Sequence, residues 1–501
     1  MKFERASGIL LHPTSLPGSY GIGDLGPQAY RFVDWLESTA CKLWQILPLG
    51  PTGYGDSPYQ CFSAFAGNHY LISPDVLIQD GLLDLDDLVD APEFPASRVD
   101  FGLLIPWKSN LLLKAFSRFH SAPKDFRDGF EYFCAQNVTW LENYSLFMAV
   151  KDSYGGNAWN TWDESLRARK PSALDKARKE LSDAILRHSF YQYLFSRQWD
   201  HLRDYSNAKG IKIIGDAPIF IAYDSADVWA HPELFYLDEV GNPTVVAGVP
   251  PDLFSSTGQL WGNPLYRWDV HQDSGYRWWM ERIKFTLKTV DILRLDHFRG
   301  FAGYYEIPAG EKTAENGRWV PGPGADLFSA IDAGLSDGFA TAEISLPIIA
   351  EDLGLITPDV TALLEEFELP GMRVLQFGFS GPDNPFLPHN YVENCVAYTG
   401  THDNDTARGW FETAADNERE FALRYLDSDG SEFAWDLIRA VWSSVAGIAV
   451  APMQDILNLG VQARMNFPSR LGGNWAWRMR EEDLTQPLAD KLRELNWLYL
   501  R

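Results

Sequence analysis

Hydrophobic positions along the chain fall into short, largely apolar runs, most of which end in polar residues. There are eight such runs, in order 8–12, 43–49, 211–216, 291–297, 347–352, 372–379, 395–405 and 447–455. Amphipathic helical patterns lie between several of them, for example 29–39 and 359–368. Apolar strands that alternate with helices are typical of a parallel sheet covered on both faces. Eight such units predict an α/β fold of the (β/α)8, or TIM-barrel, type.

The spacing of the runs is uneven, which indicates insertions into one catalytic barrel domain that spans residues 1–501. The longest gap, at about 50–210, separates the second and third runs and has largely helical patterns. We expect it to be a helical insertion subdomain between strands two and three. Two further insertions, at about 223–279 and 301–343, are expected near the active site.

Charge and composition narrow the class of partner. The net charge is -25, and its negative field repels nucleic-acid phosphates and anionic lipids, so neither nucleic acid nor membrane is expected as a partner. The four cysteines lie far apart without a CxxC pair, which favours reduced thiols over a zinc site or disulfide framework. The N-terminal apolar run is too short for a signal peptide, so a cytoplasmic location is predicted, with a monomer or weak homodimer as the assembly.

Four of the apolar runs end in or beside an acidic residue, namely Asp216, Asp296, Glu351 and Asp403. In a parallel barrel these strand ends meet at one rim, where TIM-barrel chemistry takes place. A single aspartate at a strand end is usually a helix N-cap. Four converging carboxylates repel one another, however, and such a cluster is retained mainly where function requires it.

Two reaction classes use a carboxylate cluster, metal-dependent hydrolysis and glycosyl transfer. His402, Asp403 and Asp405 come nearest to a metal-ligand pattern, but they fail as a calcium loop because the glycine and the final acid are missing. Retaining glycosyl transfer needs a nucleophilic carboxylate and a proton-donating carboxylic acid roughly 5–5.5 Å apart. Aromatic residues make up 14% of the chain, and 19 of them are tryptophan, which favours a sugar substrate.

Three segments, "LRLDHFRG", "IIAEDLG" and "YTGTHDNDT", resemble the signature segments of the α-amylase clan. Over essentially its whole length the chain resembles the 4-α-glucanotransferase family, also called amylomaltases, disproportionating enzymes or glycoside hydrolase family 77. The matching segments also include 8–18, 47–68, 215–229, 248–266 and 463–469. The resemblance implies retaining transfer of α-1,4-glucan segments from a maltooligosaccharide or starch- or glycogen-type donor. The acceptor is the 4-OH of a glucan or glucose, and no metal or other cofactor is implied.

The resemblance assigns catalytic roles at matching positions. Asp296 would be the nucleophile, Glu351 the general acid and then the general base, and Asp403 the residue that holds and distorts the sugar. Arg294 lies two residues before Asp296, so both side chains of the strand face the same way. The resemblance implies that Arg294 keeps Asp296 ionised, because a nearby cation lowers the pKa of a carboxyl group. Burial and the charge of Asp296 are expected to raise the pKa of Glu351.

The resemblance also implies further contacts with glucan. Tyr59 would stack on the sugar at the cleavage site, and Tyr54 would belong to a secondary glucan groove. The other implied contacts in the pocket are Asp216, His297 and His402. An acceptor-side loop would contribute Asp252, Phe254, Gln259 and Trp261. Asn466, near the C-terminus, is the last implied contact. Trp475 and Trp477 are predicted to be core residues.

Two alternatives remain open from the residues alone. A hydrolase of the same clan would use the same carboxylates with water as the acceptor. A non-catalytic glucan-binding protein on the same scaffold would keep the aromatic residues without turnover. Products formed from maltotriose distinguish the three, because only transfer makes longer oligomers.

Overall fold

The computed structural model describes residues 3–251, 255–336, 346–468, 470 and 472–501. Its strands are β1 Ala6–Leu10, β2 Leu43–Gln45, β3 Lys212–Pro218, β4 Val245–Val249, β5 Gln259–Pro264, β6 Ile292–Asp296, β7 Gly303–Pro308, β8 Arg318–Pro321, β9 Ile348–Ala350, β10 Gly371–Val374, β11 Cys395–Tyr398 and β12 Ile448–Pro452. Its α-helices are α1 Pro27–Thr39, α2 Pro74–Gln79, α3 Phe101–Ser117, α4 Lys124–Gln136, α5 Val138–Ser153, α6 Glu164–Arg167, α7 Pro171–Glu180, α8 Ser182–Ala208, α9 Ala226–Ala230, α10 Trp268–Asp273, α11 Arg277–Thr289, α12 Arg299–Ala302, α13 Gly324–Ser336, α14 Pro358–Glu366, α15 Ala407–Thr413, α16 Asp416–Leu426, α17 Phe433–Ser443, α18 Met453–Ile456 and α19 Gln486–Leu498.

Eight parallel strands form the central sheet, in the spatial order β10-β11-β12-β1-β2-β3-β6-β9. The N–H of Ala350 in β9 donates to the carbonyl of Pro370, the residue before β10, at 3.0 Å, and so links the two ends of the sheet. Each of the eight predicted apolar runs overlaps one of these strands. The TIM-barrel prediction is therefore confirmed.

Strands β1 and β2 approach each other closely at Gly8. A Cβ built on Gly8 in β1 would lie 2.6 Å from Leu43 Cβ in β2, so this close approach requires glycine. Inside the barrel, the hydroxyl of Tyr398 in β11 donates to Gln45 Oε1 in β2 at 2.9 Å. A buried polar pair of this kind satisfies its own hydrogen bonds and fixes the two strands relative to one another.

The segments outside the barrel form a helical region and a second sheet. Helices α2 to α8 all lie between β2 and β3, in the region predicted to be helical, and the 27-residue α8 leads back to β3. A second, antiparallel sheet has the order β5-β4-β7-β8 and was not predicted. Its strands are short and come from two separate excursions of the chain, so their pairing is not visible in local sequence patterns.

In the part of the chain that the structure describes, no helix combines the length and the apolar character that crossing a bilayer requires.

Candidate active site

The four predicted acids lie at the carboxyl ends of barrel strands. Asp216 is in β3 and Asp296 ends β6, whereas Glu351 directly follows β9 and Asp403 follows β11. Strands β6 and β9 are neighbours, with Leu295 paired to Ala350. Asp296 directly follows Leu295, and Glu351 directly follows Ala350. The fold therefore places these two carboxyl groups side by side.

Arg294 joins two of the acids in a buried ion-pair network. Its Nη1 atom lies 2.7 and 2.9 Å from the two carboxylate oxygens of Asp216 and 2.9 Å from Asp296 Oδ1. The hydroxyl of Tyr59 donates to Asp216 Oδ2 at 2.7 Å. Burial by itself lowers the pKa of Arg294, but the charges of Asp216 and Asp296 raise it well above its ordinary value. A fixed positive charge therefore lies beside Asp296, whose side chain is 28% exposed and open to a ligand.

Glu351 has different surroundings. The carboxyl group is buried, and its two oxygens accept hydrogen bonds from the backbone N–H groups of His297 at 2.8 Å and Leu353 at 2.7 Å. Burial raises the pKa of Glu351 to about 8 and the charge of Asp296 adds to the effect, while Arg294 and the two N–H groups oppose it. The raised pKa favours the protonated form of Glu351 near neutral pH, which is the form that a general acid needs.

The turn that follows β6 explains how Glu351 is held. His297 has a φ of 52°, in the left-handed region that a side chain with a Cβ rarely adopts. This conformation directs the His297 N–H at Glu351 Oε2. The pKa of the His297 imidazole is lowered to about 4 by burial, so the ring is neutral and can donate one hydrogen bond and accept another.

For the glucan transfer that the sequence resemblance implies, the raised pKa of Glu351 predicts a pH dependence. We expect kcat/KM for maltotriose to fall as the pH rises through about 8, because ionised Glu351 cannot protonate the leaving oxygen. Initial rates measured over a pH series test this. With α-maltosyl fluoride as donor, whose leaving group needs little protonation, the same basic decline should be weaker. An equal decline with both donors would contradict the assignment.

Asp403 and its neighbours form the opposite side of the site. The amide of Asn466 donates from Nδ2 to Asp403 Oδ1 at 2.6 Å, and the Asp403 side chain remains 51% exposed. The rings of Tyr59 and His402 stack with their centroids 5.1 Å apart. Asp403 thus has one oxygen fixed by the protein and the rest of its carboxylate accessible to a ligand.

The second sheet carries two of the four predicted acceptor-side residues. Gln259 and Trp261 lie on β5, and Trp261 Nε1 donates to Gln259 Oε1 at 3.1 Å. The Trp261 ring meets His297 edge to face, with centroids 4.8 Å apart. Asp252 and Phe254 lie outside the described residues, and so does the side chain of Tyr54.

The residues nearest to a metal-ligand pattern in the sequence have protein partners. Asp403 binds Asn466, and Asp405 Oδ2 lies 3.9 Å from Arg464 Nη1. Among the residues whose placement is described, no group of three or more His, Cys, Asp and Glu side chains is arranged to hold a metal ion.

Three residues at the site were not identified from the sequence. Trp475 is buried as predicted, yet its ring also lies 5.8 Å from that of Tyr59, so it backs the stacking surface. Phe220 lies 6.5 Å from the ring of Trp261. Arg464 donates to the carbonyl of Asp403 at 2.6 Å. Arg464 could have been found, since it lies in the matching segment 463–469.

Comparisons with known proteins identify the family of the chain. A family described as 4-alpha-glucanotransferase matches residues 11–485. A 4-alpha-glucanotransferase from Thermus thermophilus is 51% identical, with 99% of each chain covered. A chloroplastic/amyloplastic 4-alpha-glucanotransferase from Solanum tuberosum is 46% identical over 99% of this chain and 87% of its own.

Solved structures give the same result. The amylomaltase from Streptococcus agalactiae in complex with acarbose has a TM-score of 0.95 at 42% identity, covering 99% of this chain and 100% of its own. An amylomaltase from Corynebacterium glutamicum has a TM-score of 0.76 at 17% identity, covering 99% and 74%, and so shares the fold.

Proposed function

The chain belongs to the 4-α-glucanotransferase family, glycoside hydrolase family 77, and from this premise we propose which residues carry out each step of its reaction. The enzyme transfers α-1,4-glucan segments between glucan chains. Hydrolysis and glucan binding without turnover are not favoured by this membership. The assignment of individual residues below is our proposal.

The first half-reaction forms a covalent intermediate. Asp296 attacks the anomeric carbon of the donor sugar while Glu351 gives its proton to the glycosidic oxygen, and the reducing-end part of the donor leaves as an alcohol. In the second half, ionised Glu351 takes the proton from the acceptor 4-OH, whose oxygen attacks the anomeric carbon and displaces Asp296. Two inversions restore the α configuration.

One observation supports this division of roles above the others. The neighbouring carboxyl groups have opposite surroundings: Asp296 lies 2.9 Å from the Arg294 guanidinium, while buried Glu351 has a pKa raised to about 8 by burial. An ionised nucleophile beside a protonated acid is the arrangement that retaining glycosyl transfer requires.

The remaining residues at the site are proposed to bind and orient glucan. Tyr59 stacks on the donor sugar, and Asp216 holds Tyr59 and Arg294 in place. Asp403, which Asn466 orients, binds hydroxyl groups of the same sugar. His297 and His402 also bind hydroxyl groups of this sugar. The proposed acceptor-side residues are Asp252, Phe254, Gln259 and Trp261. Tyr54 is proposed to lie in a secondary glucan groove.

Several predictions about the whole molecule stay proposals. We propose one catalytic domain over 1–501 with the helical insertion at about 50–210 and further insertions at about 223–279 and 301–343. Glucose as an acceptor, a monomeric or weakly dimeric assembly and a cytoplasmic location also stay predictions.

Incubation with maltotriose tests the proposed reaction. We expect a ladder of longer oligomers together with free glucose, because the covalent intermediate passes its glucan to a sugar hydroxyl. Chromatography of the products at short times provides the measurement. Maltose and glucose in equal amounts without longer oligomers would instead indicate hydrolysis.

A further inference from the structure

Asp455 binds both ends of the segment 399–407, which carries His402 and Asp403. Thr399 Oγ1 donates to Asp455 Oδ2 at 2.6 Å, and the backbone N–H of Ala407 donates to Asp455 Oδ1 at 2.7 Å. Asp455 is only 1% exposed and lies in α18, directly after β12, which pairs with β11. One buried carboxylate therefore ties the beginning and the end of this segment to the neighbouring barrel strand.

A small cavity lies behind the segment. Its volume is about 20 Å³, and it is lined by polar residues such as His12 and Asp455 and by apolar residues such as Leu10 and Leu47. A cavity of this size can hold about one water molecule. Packing behind the segment is therefore incomplete, and hydrogen bonds contribute to its position.

Within the segment, the backbone is braced as a unit. Asn404 Oδ1 accepts from both the N–H and the hydroxyl of Thr401 at 2.9 Å, which closes the turn around His402 and Asp403. A turn braced in this way moves as one piece, so its anchor points decide where its side chains lie. Asp455 provides two of those anchor points.

We propose that Asp455 is a positioning residue for glucan transfer. Through Thr399 and Ala407 it holds the segment 399–407 so that His402 and Asp403 face the donor sugar. This inference rests on the proposed sugar-binding roles of His402 and Asp403.

Asparagine is the appropriate conservative replacement for Asp455. Its amide oxygen can accept from the Ala407 N–H, and its amide group can donate to the Thr399 hydroxyl, which then acts as the acceptor. Burial raises the pKa of Asp455 to about 6, which indicates surroundings that tolerate a neutral side chain. Asp455→Asn should therefore keep the two contacts that Asp455→Ala removes.

The experiment measures maltotriose binding apart from turnover. Each change is made in an Asp296→Asn background, where calorimetry gives Kd without reaction, and in the wild-type background, where KM and kcat are measured. We expect Asp455→Ala to raise Kd and KM by about tenfold or more, since small displacements of binding groups have effects of this size. Asp455→Asn should keep Kd and KM close to those of the parent protein. Thr399→Val removes one of the two contacts, so its Kd and KM should lie between those of Asp455→Asn and Asp455→Ala.

Asp291→Ala is the matched control. The Asp291 carboxylate also ties two elements together, accepting from the Ile213 N–H at 2.7 Å and from Asn207 Nδ2 at 3.1 Å, but it precedes β6 at the opposite end of the barrel. Its loss should lower thermal stability without changing Kd or KM. An equal rise of KM in Asp291→Ala would overturn the inference, because the effect would then be general loosening of the barrel.

Other outcomes separate the inference from the proposal on which it rests. If Asp403→Ala leaves Kd unchanged, the sugar-binding role of Asp403 is wrong. If Asp403→Ala weakens binding but Asp455→Ala does not, only the positioning role fails. The positioning role of Asp455 would also be overturned if Asp455→Asn bound maltotriose as weakly as Asp455→Ala does. Should Asp455→Ala fail to fold, Thr399→Val decides, and an unchanged Kd there rejects the inference.

Discussion

Asp296→Asn is expected to lower kcat for transfer from maltotriose by about 10⁴-fold or more, the scale at which other enzymes lose activity without their nucleophile. The amide cannot form the glucosyl ester, so the two-step route is closed. The fold should persist, because Arg294 keeps its 2.7 Å contact with Asp216. Product formation over long incubations measures the loss, and a thermal melt confirms that the protein is folded.

A trapping experiment identifies the nucleophile directly. A 5-fluoro-α-glucosyl fluoride reacts through the same first step but is released slowly, so wild-type protein should gain the mass of one sugar on the peptide that contains Asp296. The Asp296→Asn variant should gain none. Labelling of Asp216 or Asp403 in the wild-type protein would contradict the assignment.

Glu351→Gln is expected to lower kcat for maltotriose by about 10²–10⁴-fold, the usual contribution of a general acid and base. Both oxygens of Glu351 accept hydrogen bonds from backbone N–H groups, those of His297 and Leu353. In Glu351→Gln the side-chain NH2 replaces one of these oxygens, so two hydrogen-bond donors face each other. That conflict costs about 1–3 kcal/mol of stability, which a thermal melt should detect.

The loss in Glu351→Gln should depend on the leaving group and the acceptor. Formation of the intermediate from α-maltosyl fluoride should survive, because fluoride departs without a proton. Azide, which needs no general base, should then speed release and give an α-glycosyl azide. Glu306→Gln is the matched control, since Glu306 is a buried glutamate paired with Arg318 in the second sheet. An equal loss of rate with both donors in Glu351→Gln would contradict the acid role.

Much of the barrel was predictable because a strand that is buried on both faces has a continuous run of apolar residues in the sequence. The run 447–453 is apolar throughout, and only a buried strand or helix tolerates such a run. Strands β4, β5, β7 and β8 were not recognised from runs of this kind. They pair across long stretches of chain, and residues such as Arg318 and Trp319 on β8 remain partly exposed. Their sheet is held by contacts that local patterns do not contain.

The candidate site divides in the same way. The sequence by itself determined which acids end barrel strands, and the alternation of side chains along a strand already placed Arg294 on the same side as Asp296. The tertiary structure decided that Asp216 shares the Arg294 guanidinium, that His297 and Leu353 hold Glu351, and that Asp455 anchors the segment of Asp403. These contacts join residues far apart in the chain or depend on one backbone turn, so they exist only after the barrel closes. The sequence therefore determined the chemical groups and their strands, and the closed barrel determined their distances and charge states, because burial and Coulomb interactions depend on positions in space.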